Sequence, residues 1–220
     1  MSNVARQSAR EQSAREQSAR ETVSLSDLTS GHVLDGALFA ARHAAHDIIA
    51  VDEPLNVAFD VGGMRRGTVN VCTGVAAVSS ALSLIAASTR QGAWLACVDM
   101  PFLSMSAAEE RGVALERVVR VEVPSAAPRA RVLGALIEGF DVVLLSKWGC
   151  SPGEIRRLLT RVRALSTLLV VLEHSGVCIA DAHLHTSAAR WCVDSHARHR
   201  EVALDVSGKR VRPRRHTVRV

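Results

Sequence analysis

The stretch with the clearest chemical potential runs from Gly74 to Ala81, between a predicted strand at 68–72 and a predicted helix. A strand, a glycine turn and a helix form the framework of a phosphate-binding P-loop, G-x-x-x-x-G-K-[ST]. In such a loop, backbone N–H groups and the Lys hold phosphates, and the Ser or Thr hydroxyl binds Mg²⁺. Here Gly74 is present, but Ser79, Ser80 and Ala81 replace the second Gly, the Lys and the Ser or Thr. The pattern therefore predicts the framework of a nucleotide site without its chemical groups.

Composition favours a single folded domain with short additional segments. The chain has 220 residues, of which 48% are hydrophobic and 3% aromatic, so we expect a core of Val, Leu, Ala and Ile. The formal net charge of +5 permits an acidic partner such as nucleic acid but does not require one. The five cysteines are scattered and form no C-x-x-C pair, which indicates reduced, buried thiols in a cytoplasmic protein.

Neither a signal peptide nor a membrane span is expected. The first 24 residues lack the apolar segment of a signal peptide. The longest low-charge segment, residues 67–89, changes from a strand pattern to a helix pattern and contains Asn70 and several Ser and Thr residues. A spanning helix needs about 20 mainly apolar residues. We therefore expect a cytoplasmic protein that does not enter a membrane.

The chain divides into four segments by composition. Residues 7–21 are three copies of QSARE. They offer no apolar side chain larger than Ala, so residues 1–25 are expected to form a solvated helix or a disordered tail. Residues 26–54 predict an N-terminal helix, over 32–49, followed by a linker. Residues 55–206 are expected to form the folded core, and the basic segment 207–220 a C-terminal strand or tail.

Within the core, apolar strand patterns alternate with amphipathic helix patterns. We predict strands at 68–72, 93–99, 118–123, 141–146 and 167–173. Helices are predicted to begin at Pro128 and at the capping signals Ser106–Glu109 and Ser151–Glu154. This alternation predicts an α/β fold with a mostly parallel, doubly wound sheet flanked by helices. After Gly176 the segments become short and alternate in polarity, which predicts antiparallel strands with a turn at 207–209.

The order of these elements and three local motifs resemble the RecA recombinase core, over residues 55–206. Gly63–Gly67 is similar to the G-x-x-x-G lead-in of the RecA P-loop. Gly112–Val119 is similar to the segment before its third core strand, and Phe140–Leu145 to its Walker B strand. The resemblance implies a RecA-like core.

The positions that carry ATP chemistry in that family are empty here. Besides Ser80 and Ala81 in the loop, Ser146 stands where an acid at the end of the Walker B strand would order Mg²⁺. Pro101 stands where the general-base Glu, two residues after Asp99, is expected. Losing the Lys and the Mg²⁺ ligands removes most of the charge stabilisation of a transferring phosphoryl group. The resemblance therefore implies a RecA-like protein that is not an enzyme, has no catalytic residues and uses no cofactor.

One alternative is an unusual P-loop in which a cation from elsewhere replaces the missing Lys. The nearest cations in sequence are Arg65, Arg66 and Arg90, which precede the strand or end the helix. The sequence leaves this alternative open.

Non-catalytic RecA relatives share further features with the chain. Actinobacterial ImuA-like (ImuA-prime) mutasome proteins resemble it in the G-G-x-x-R-G-[ST]-V motif at 62–69, the W-x-A-x-V-D-x-P strand end at Trp94–Pro101 and the R-P-R-R run at Arg212–Arg215. That resemblance implies an accessory role in damage-induced (SOS) translesion synthesis and mutagenesis, beside an ImuB-like protein and an error-prone polymerase. The alternatives are a SulA-like cell-division inhibitor that acts on FtsZ, or a protein that binds DNA or the RecA filament directly.

The basic segment at the C-terminus is a candidate contact for DNA or a protein partner. It holds Arg210, Arg212, Arg214 and Arg215, whose charges would bind phosphates without sequence preference. The alternative is the solvated face of a hairpin, because valines alternate with the charges and no Tyr or Phe is interleaved to stack on bases. An acidic protein surface is a third possibility.

No metal site or hydrolase site is predicted. His183, His185 and Cys192 lie close in sequence, but their spacing fits none of the usual zinc ligand sets. No G-x-S-x-G motif occurs, and no Cys stands at a helix start beside a positioned base. Metal ligands and catalytic nucleophiles are therefore not assigned.

Overall fold

The structure is a computed structural model that describes residues 47–125, 127–172, 180–194 and 196–219. The predicted QSARE tail and most of the predicted N-terminal helix lie outside the described residues. The described chain forms one large sheet with helices on both faces, preceded by a small two-stranded sheet.

Eight strands form the large sheet, and β1 (Ile48–Ala50) and β2 (Gly63–Arg65) pair separately. The strands of the large sheet are β3 (Val69–Gly74), β4 (Leu95–Val98), β5 (Val118–Val121), β6 (Val142–Leu145), β7 (Leu168–Val171), β8 (Ala182–Asp194), β9 (His196–Ser207) and β10 (Arg214–Arg219). Their order is β10-β9-β8-β3-β7-β6-β4-β5. From β5 to β8 every neighbouring pair is parallel, whereas β9 is antiparallel to both β8 and β10.

This sheet confirms the predicted α/β class, a mostly parallel sheet with antiparallel strands at its C-terminal end. Two local predictions are wrong. The segment after Gly176 begins with a strand, β8, that is parallel to β3, because residues 182–186 pair with the backbone groups of 70–74. Ile48 and Ile49, expected at the end of a helix, form β1, where pairing with β2 buries Ile49.

Helices cover both faces of the large sheet: α1 (Ala77–Arg90), α2 (Met105–Glu110), α3 (Arg129–Gly139) and α4 (Pro152–Leu165). Successive residues of a strand point to opposite faces. Cys72 therefore packs in the core with Ile85 of α1, whereas Val71 packs in the other core with Leu136 of α3 and Val162 of α4. None of the described helices is long and apolar enough to cross a membrane.

Serine caps fix where two of the helices begin. As predicted, Ser151 caps α4, because its Oγ accepts the N–H of Glu154 at 3.4 Å and its own N–H donates to Glu154 Oε2 at 2.8 Å. The predicted cap of α2 is wrong, because Ser104 rather than Ser106 accepts the N–H of Ala107, at 3.3 Å. Helix α2 therefore begins soon after β4 ends.

The two cysteines in the sheet are expected to resist alkylation. Burial raises the pKa of Cys72 and of Cys97 to about 12, so both thiols stay protonated and covered. At pH 8 iodoacetamide should therefore label Cys150, which is half-exposed, before either of them. Mass spectrometry of the digested protein measures this, with unfolding in urea as the control that exposes all thiols. Rapid labelling of Cys72 in the native protein would contradict the burial of β3.

Candidate functional site

The strand–turn–helix at Gly74 is shorter than a phosphate-binding loop. Strand β3 ends at Gly74 and α1 begins at Ala77, so only Val75 and Ala76 connect them. In a P-loop, a longer loop surrounds the phosphates with its N–H groups. Here Ser79, Ser80 and Ala81 lie within the first turns of α1 rather than in a loop. The connection therefore leaves no phosphate-sized cradle between strand and helix.

Thr186 of β8 occupies the N–H groups of this turn. The N–H of Val75 donates to the Thr186 carbonyl at 3.0 Å, and the N–H of Ala76 donates to Thr186 Oγ1 at 2.9 Å. The same hydroxyl donates to the carbonyl of Thr73 at 2.9 Å. Thr186 is buried, so its bonds to the turn are shielded from water. We call this arrangement the Thr186 clamp; it uses two donors that could otherwise face an anion.

Gly74 is required by the clamp for a steric reason. Its φ of +93° lies in the left-handed region, which side chains disfavour. A Cβ at this position would overlap the carbonyl oxygen of Thr186 and lie 2.8 Å from Thr186 Oγ1. The glycine that resembles the first Gly of a P-loop thus has a packing function in this chain.

The residues at the P-loop Lys and Ser or Thr positions face the protein interior. Ser80 and Ala81 are buried, and Ser79 is half-buried. Among the described residues, Ser80 Oγ has no hydrogen-bond partner. A neutral, buried hydroxyl provides no positive charge for a phosphate.

The arginines considered as substitutes for the missing Lys lie away from the Gly74 turn. Arg66 pairs with Asp141 at 3.7 Å, before the start of β6. Arg90, in the last turn of α1, pairs with Asp52 at 2.5 Å and donates to the carbonyl of Gly112 at 2.7 Å. Arg65 ends β2, ahead of the first residue of β3. Because β3 and α1 run in opposite directions, these positions are at the far ends of both elements.

At the carboxyl end of β4 an aspartate is paired with an arginine. Neither Pro101, which is exposed, nor Ser146, which is half-buried, carries a carboxylate. Asp99, which follows β4, accepts the N–H of Val123 at 2.8 Å and forms an ion pair with Arg129. Arg129 also donates to the carbonyls of Trp148 at 2.6 Å and Lys147 at 2.9 Å. This Arg129 network joins the loops after β4, β5 and β6 and leaves the Asp99 carboxylate engaged.

A cleft of about 320 Å³ lies beside the Arg129 network. It is lined by Arg129 and Gly149, and by Cys150 and Glu154 at the start of α4. Burial, followed by the charge of Glu154, raises the pKa of the Cys150 thiol. A thiol kept protonated in this way is a poor nucleophile.

Most of the candidate arginines at the C-terminus form ion pairs within the chain. Arg210 pairs with the buried Asp181 at 3.2 Å, and Arg214 pairs with Asp60. Arg215 binds Asp205 through two bonds of 2.5 and 3.0 Å, which hold the pKa of Asp205 below its usual value. Arg212 is exposed. The structure places the four arginines on or beside β10, with three of their charges compensated by carboxylates.

The histidines of β8 bind a threonine. Thr73 Oγ1 lies 3.0 Å from His183 Nε2 and 2.9 Å from His185 Nδ1. Asp205 of β9 lies opposite His185, and Arg215 of β10 opposite Asp205, so polar residues form a row across four strands. Within the described ranges, no three His, Cys, Asp or Glu residues are grouped so that they could hold a metal ion.

Two residues central to this region, Thr186 and Arg129, were not identifiable from the sequence. Thr186 contacts a turn more than a hundred residues earlier, and no local motif indicates that contact. Arg129 occupies the first turn of α3, where an arginine is unremarkable. Both contacts become evident only from the parallel strand pairing, which brings the ends of the strands close together.

Comparison with known proteins places the chain in a family. Residues 57–176, more than half of the chain, match the MT3502 N-terminal domain family. Over 109 residues the chain is 37% identical to the uncharacterized protein Rv3395c of Mycobacterium tuberculosis. That alignment covers 49% of the chain and 52% of the relative, so the chain spans about half the length of the curated relative it matches. The family match includes the Gly74 turn and Arg129 but ends before Thr186. The chain belongs to the MT3502 N-terminal domain family.

Proposed function

We propose that the protein is a non-catalytic, RecA-like accessory protein of damage-induced (SOS) translesion synthesis. In this proposal it acts in the cytoplasm as an adaptor for an ImuB-like protein and an error-prone polymerase, as its resemblance to ImuA-like mutasome proteins implies. It neither hydrolyses ATP nor requires a bound nucleotide. The Thr186 clamp is the observation that carries the non-catalytic part of the proposal.

The sheet supports a RecA-like origin for this core. Strand β3, which precedes the glycine turn, lies inside the sheet between β7 and β8. In open α/β sheets, ligands bind outside the carboxyl ends of the strands, at the place where Gly74 is found. A nucleotide fold that had lost its function would keep this placement and fill the vacated space with side chains.

Three separate features at that edge support the loss of ATP chemistry. The Gly74 turn is closed by Thr186, Pro101 and Ser146 replace two acids, and Asp99 is paired with Arg129. In this proposal the closed turn removes the phosphate cradle, Ser146 and Pro101 remove an Mg²⁺ ligand and the general base, and the pair with Arg129 engages the Asp99 carboxylate. Together they support an adaptor role better than a slow enzyme.

The proposal is tested with the purified chain and an ImuB-like protein. Isothermal titration calorimetry should show a saturable complex, and FtsZ titrated in parallel should give no heat of binding. Saturable binding to FtsZ with none to the ImuB-like protein would replace the proposal by the cell-division alternative. A strain that lacks the gene should be sensitive to DNA damage, and expression of the chain should restore its tolerance.

Direct DNA binding by the C-terminal arginines is expected to be weak. Arg214 and Arg215 are already paired with Asp60 and Asp205 and would have to leave these carboxylates to contact phosphates. We therefore do not expect this segment to lie against DNA, and the test replaces Arg212, Arg214 and Arg215 together by Ala. We expect the affinity for duplex DNA to change by about twofold or less, with an unchanged salt slope. Anisotropy titrations over a range of NaCl concentrations measure both. A salt slope that falls by about one per arginine would favour the DNA-binding alternative.

A further inference from the structure

Three exposed apolar side chains lie at or toward the carboxyl edge of the sheet. Val75 follows β3, Phe102 follows β4, and Trp191 lies on the distal half of β8, which runs parallel to β3. Their exposed fractions are 59%, 61% and 57%, the largest among the described large apolar side chains. A Trp more than half exposed is unusual on a surface that faces only water.

Arg200 connects two of these residues. Arg200 lies opposite Trp191 in the β8–β9 pair, and its guanidinium carbon is 6.0 Å from the centroid of the Trp191 ring. Its Nη2 donates to the carbonyl of Val75 at 3.4 Å. Arg200 therefore connects the β8–β9 hairpin to the turn that follows Gly74, and its guanidinium lies over the Trp191 ring.

One positive charge at this edge lacks an acidic partner. Among the described residues, Arg200 has no carboxylate within ion-pair distance, and its Nε is buried without a hydrogen-bond partner. Several other described arginines, such as Arg190 and Arg215, are paired with acids. We call Val75, Phe102, Trp191 and Arg200 the carboxyl-edge patch.

The side chains of the patch indicate which kind of molecule binds to it. Apolar side chains next to an arginine without an acidic partner suit a protein segment with an apolar or aromatic anchor flanked by carboxylates. A second copy of the chain, bound by the same patch, would bring Arg200 against the same arginine of the other copy. Nucleic acid would supply the negative charge, but Val75 and Phe102 would find little apolar surface against a phosphate backbone.

We propose that the carboxyl-edge patch is the docking surface for an acidic, apolar segment of a protein partner. The inference rests on the proposed adaptor function, in which that partner is the ImuB-like protein. The patch adjoins the closed Gly74 turn, so the edge at which a nucleotide would bind in related folds binds a protein instead.

The test compares Trp191→Ala and Arg200→Glu with Val57→Ser as a matched control, since Val57 is also exposed and lies outside the patch. Two probes are titrated by fluorescence anisotropy: the ImuB-like protein, and a short peptide in which glutamate alternates with leucine and phenylalanine. We expect both patch variants to weaken binding of both probes by about tenfold or more, because aromatic and Arg anchors dominate such interfaces. Val57→Ser should bind as the wild type does, and lysine in place of glutamate should abolish peptide binding.

The possible results test the docking surface and the proposed adaptor function independently. If the wild type binds the acidic peptide through the patch but not the ImuB-like protein, the adaptor function fails and the docking surface stands. If the ImuB-like protein binds and neither patch variant weakens it or the peptide, the docking surface is overturned and the function stands. Patch variants that impair binding of oligothymidylate but not of the peptide would assign the patch to DNA and overturn the proposal. Because Trp191 is exposed, Trp191→Ala should retain the wild-type melting temperature.

Discussion

Gly74→Ala should lower the free energy of unfolding by about 3 kcal/mol or more, the largest effect that we expect from a single methyl group in this chain. Two costs combine. The φ of +93° is strained for any L side chain, and the new Cβ would overlap the Thr186 carbonyl. To relieve the overlap, β8 must move away from β3, which breaks the bonds from Thr186 to Val75 and Ala76.

Gly92→Ala is the matched control for this substitution. Gly92 has nearly the same φ, +94°, but a Cβ there would meet nothing within 4 Å. It should cost only the backbone strain, about 1 kcal/mol. Urea unfolding followed by circular dichroism gives both values. Equal losses in the two variants would mean that Gly74 does not lie against Thr186.

Arg129→Ala should lower the free energy of unfolding by about 2–4 kcal/mol. The guanidinium pairs with Asp99 and donates to two carbonyls, of Lys147 and Trp148. The side chains of Arg129 and Asp99 are only 16% and 23% exposed, so removing the cation leaves a carboxylate poorly hydrated and without its partner. The loops after β4 and β6 would lose their common attachment.

The control for Arg129→Ala is Arg161→Ala, which removes an ion pair of ordinary geometry from the surface. Arg161 binds Glu138 at 2.8 Å, but both side chains are more than half exposed. An exposed pair contributes about 0–1 kcal/mol, so the expected loss is small. If the two variants lose the same stability, the Arg129 network does not hold the strand ends together. An Arg129→Lys variant should recover part of the loss, since an ammonium group can pair with Asp99 but cannot reach both carbonyls.

Local patterns in the sequence determine much of the fold and little of the site. The apolar runs at β6 and β7 and the Ser151–Glu154 capping box are local signals, and each predicted its element. The predicted cap of α2 is wrong because Ser106 has Glu109 at capping-box spacing, whereas Ser104, which has Ala107 at that position, is the residue that caps the helix. Such choices between nearby polar residues are set by tertiary packing rather than by propensity.

The site could be predicted only as a set of missing groups. By their residue types, Ser80, Pro101 and Ser146 carry no charge that could hold a phosphate or Mg²⁺, but the sequence does not show which side chains lie around them. Thr186 and Arg129 reach the strand ends through pairings of β3 with β8 and of β4 with β5 and β6, and those registers are non-local. Likewise, Trp191 becomes notable only once β8 and β9 place it against Arg200 beside the Gly74 turn.

The most direct test of the central claim, that the Gly74 turn is closed to nucleotide, is an equilibrium titration with MgATP. Isothermal titration calorimetry on the purified chain should show no saturable binding up to millimolar nucleotide. A dissociation constant of about 1 mM corresponds to a binding free energy of about −4 kcal/mol. The same result is expected with DNA present. Saturable binding at micromolar MgATP, lost when Gly74 is replaced but retained when Gly92 is replaced, would contradict the account.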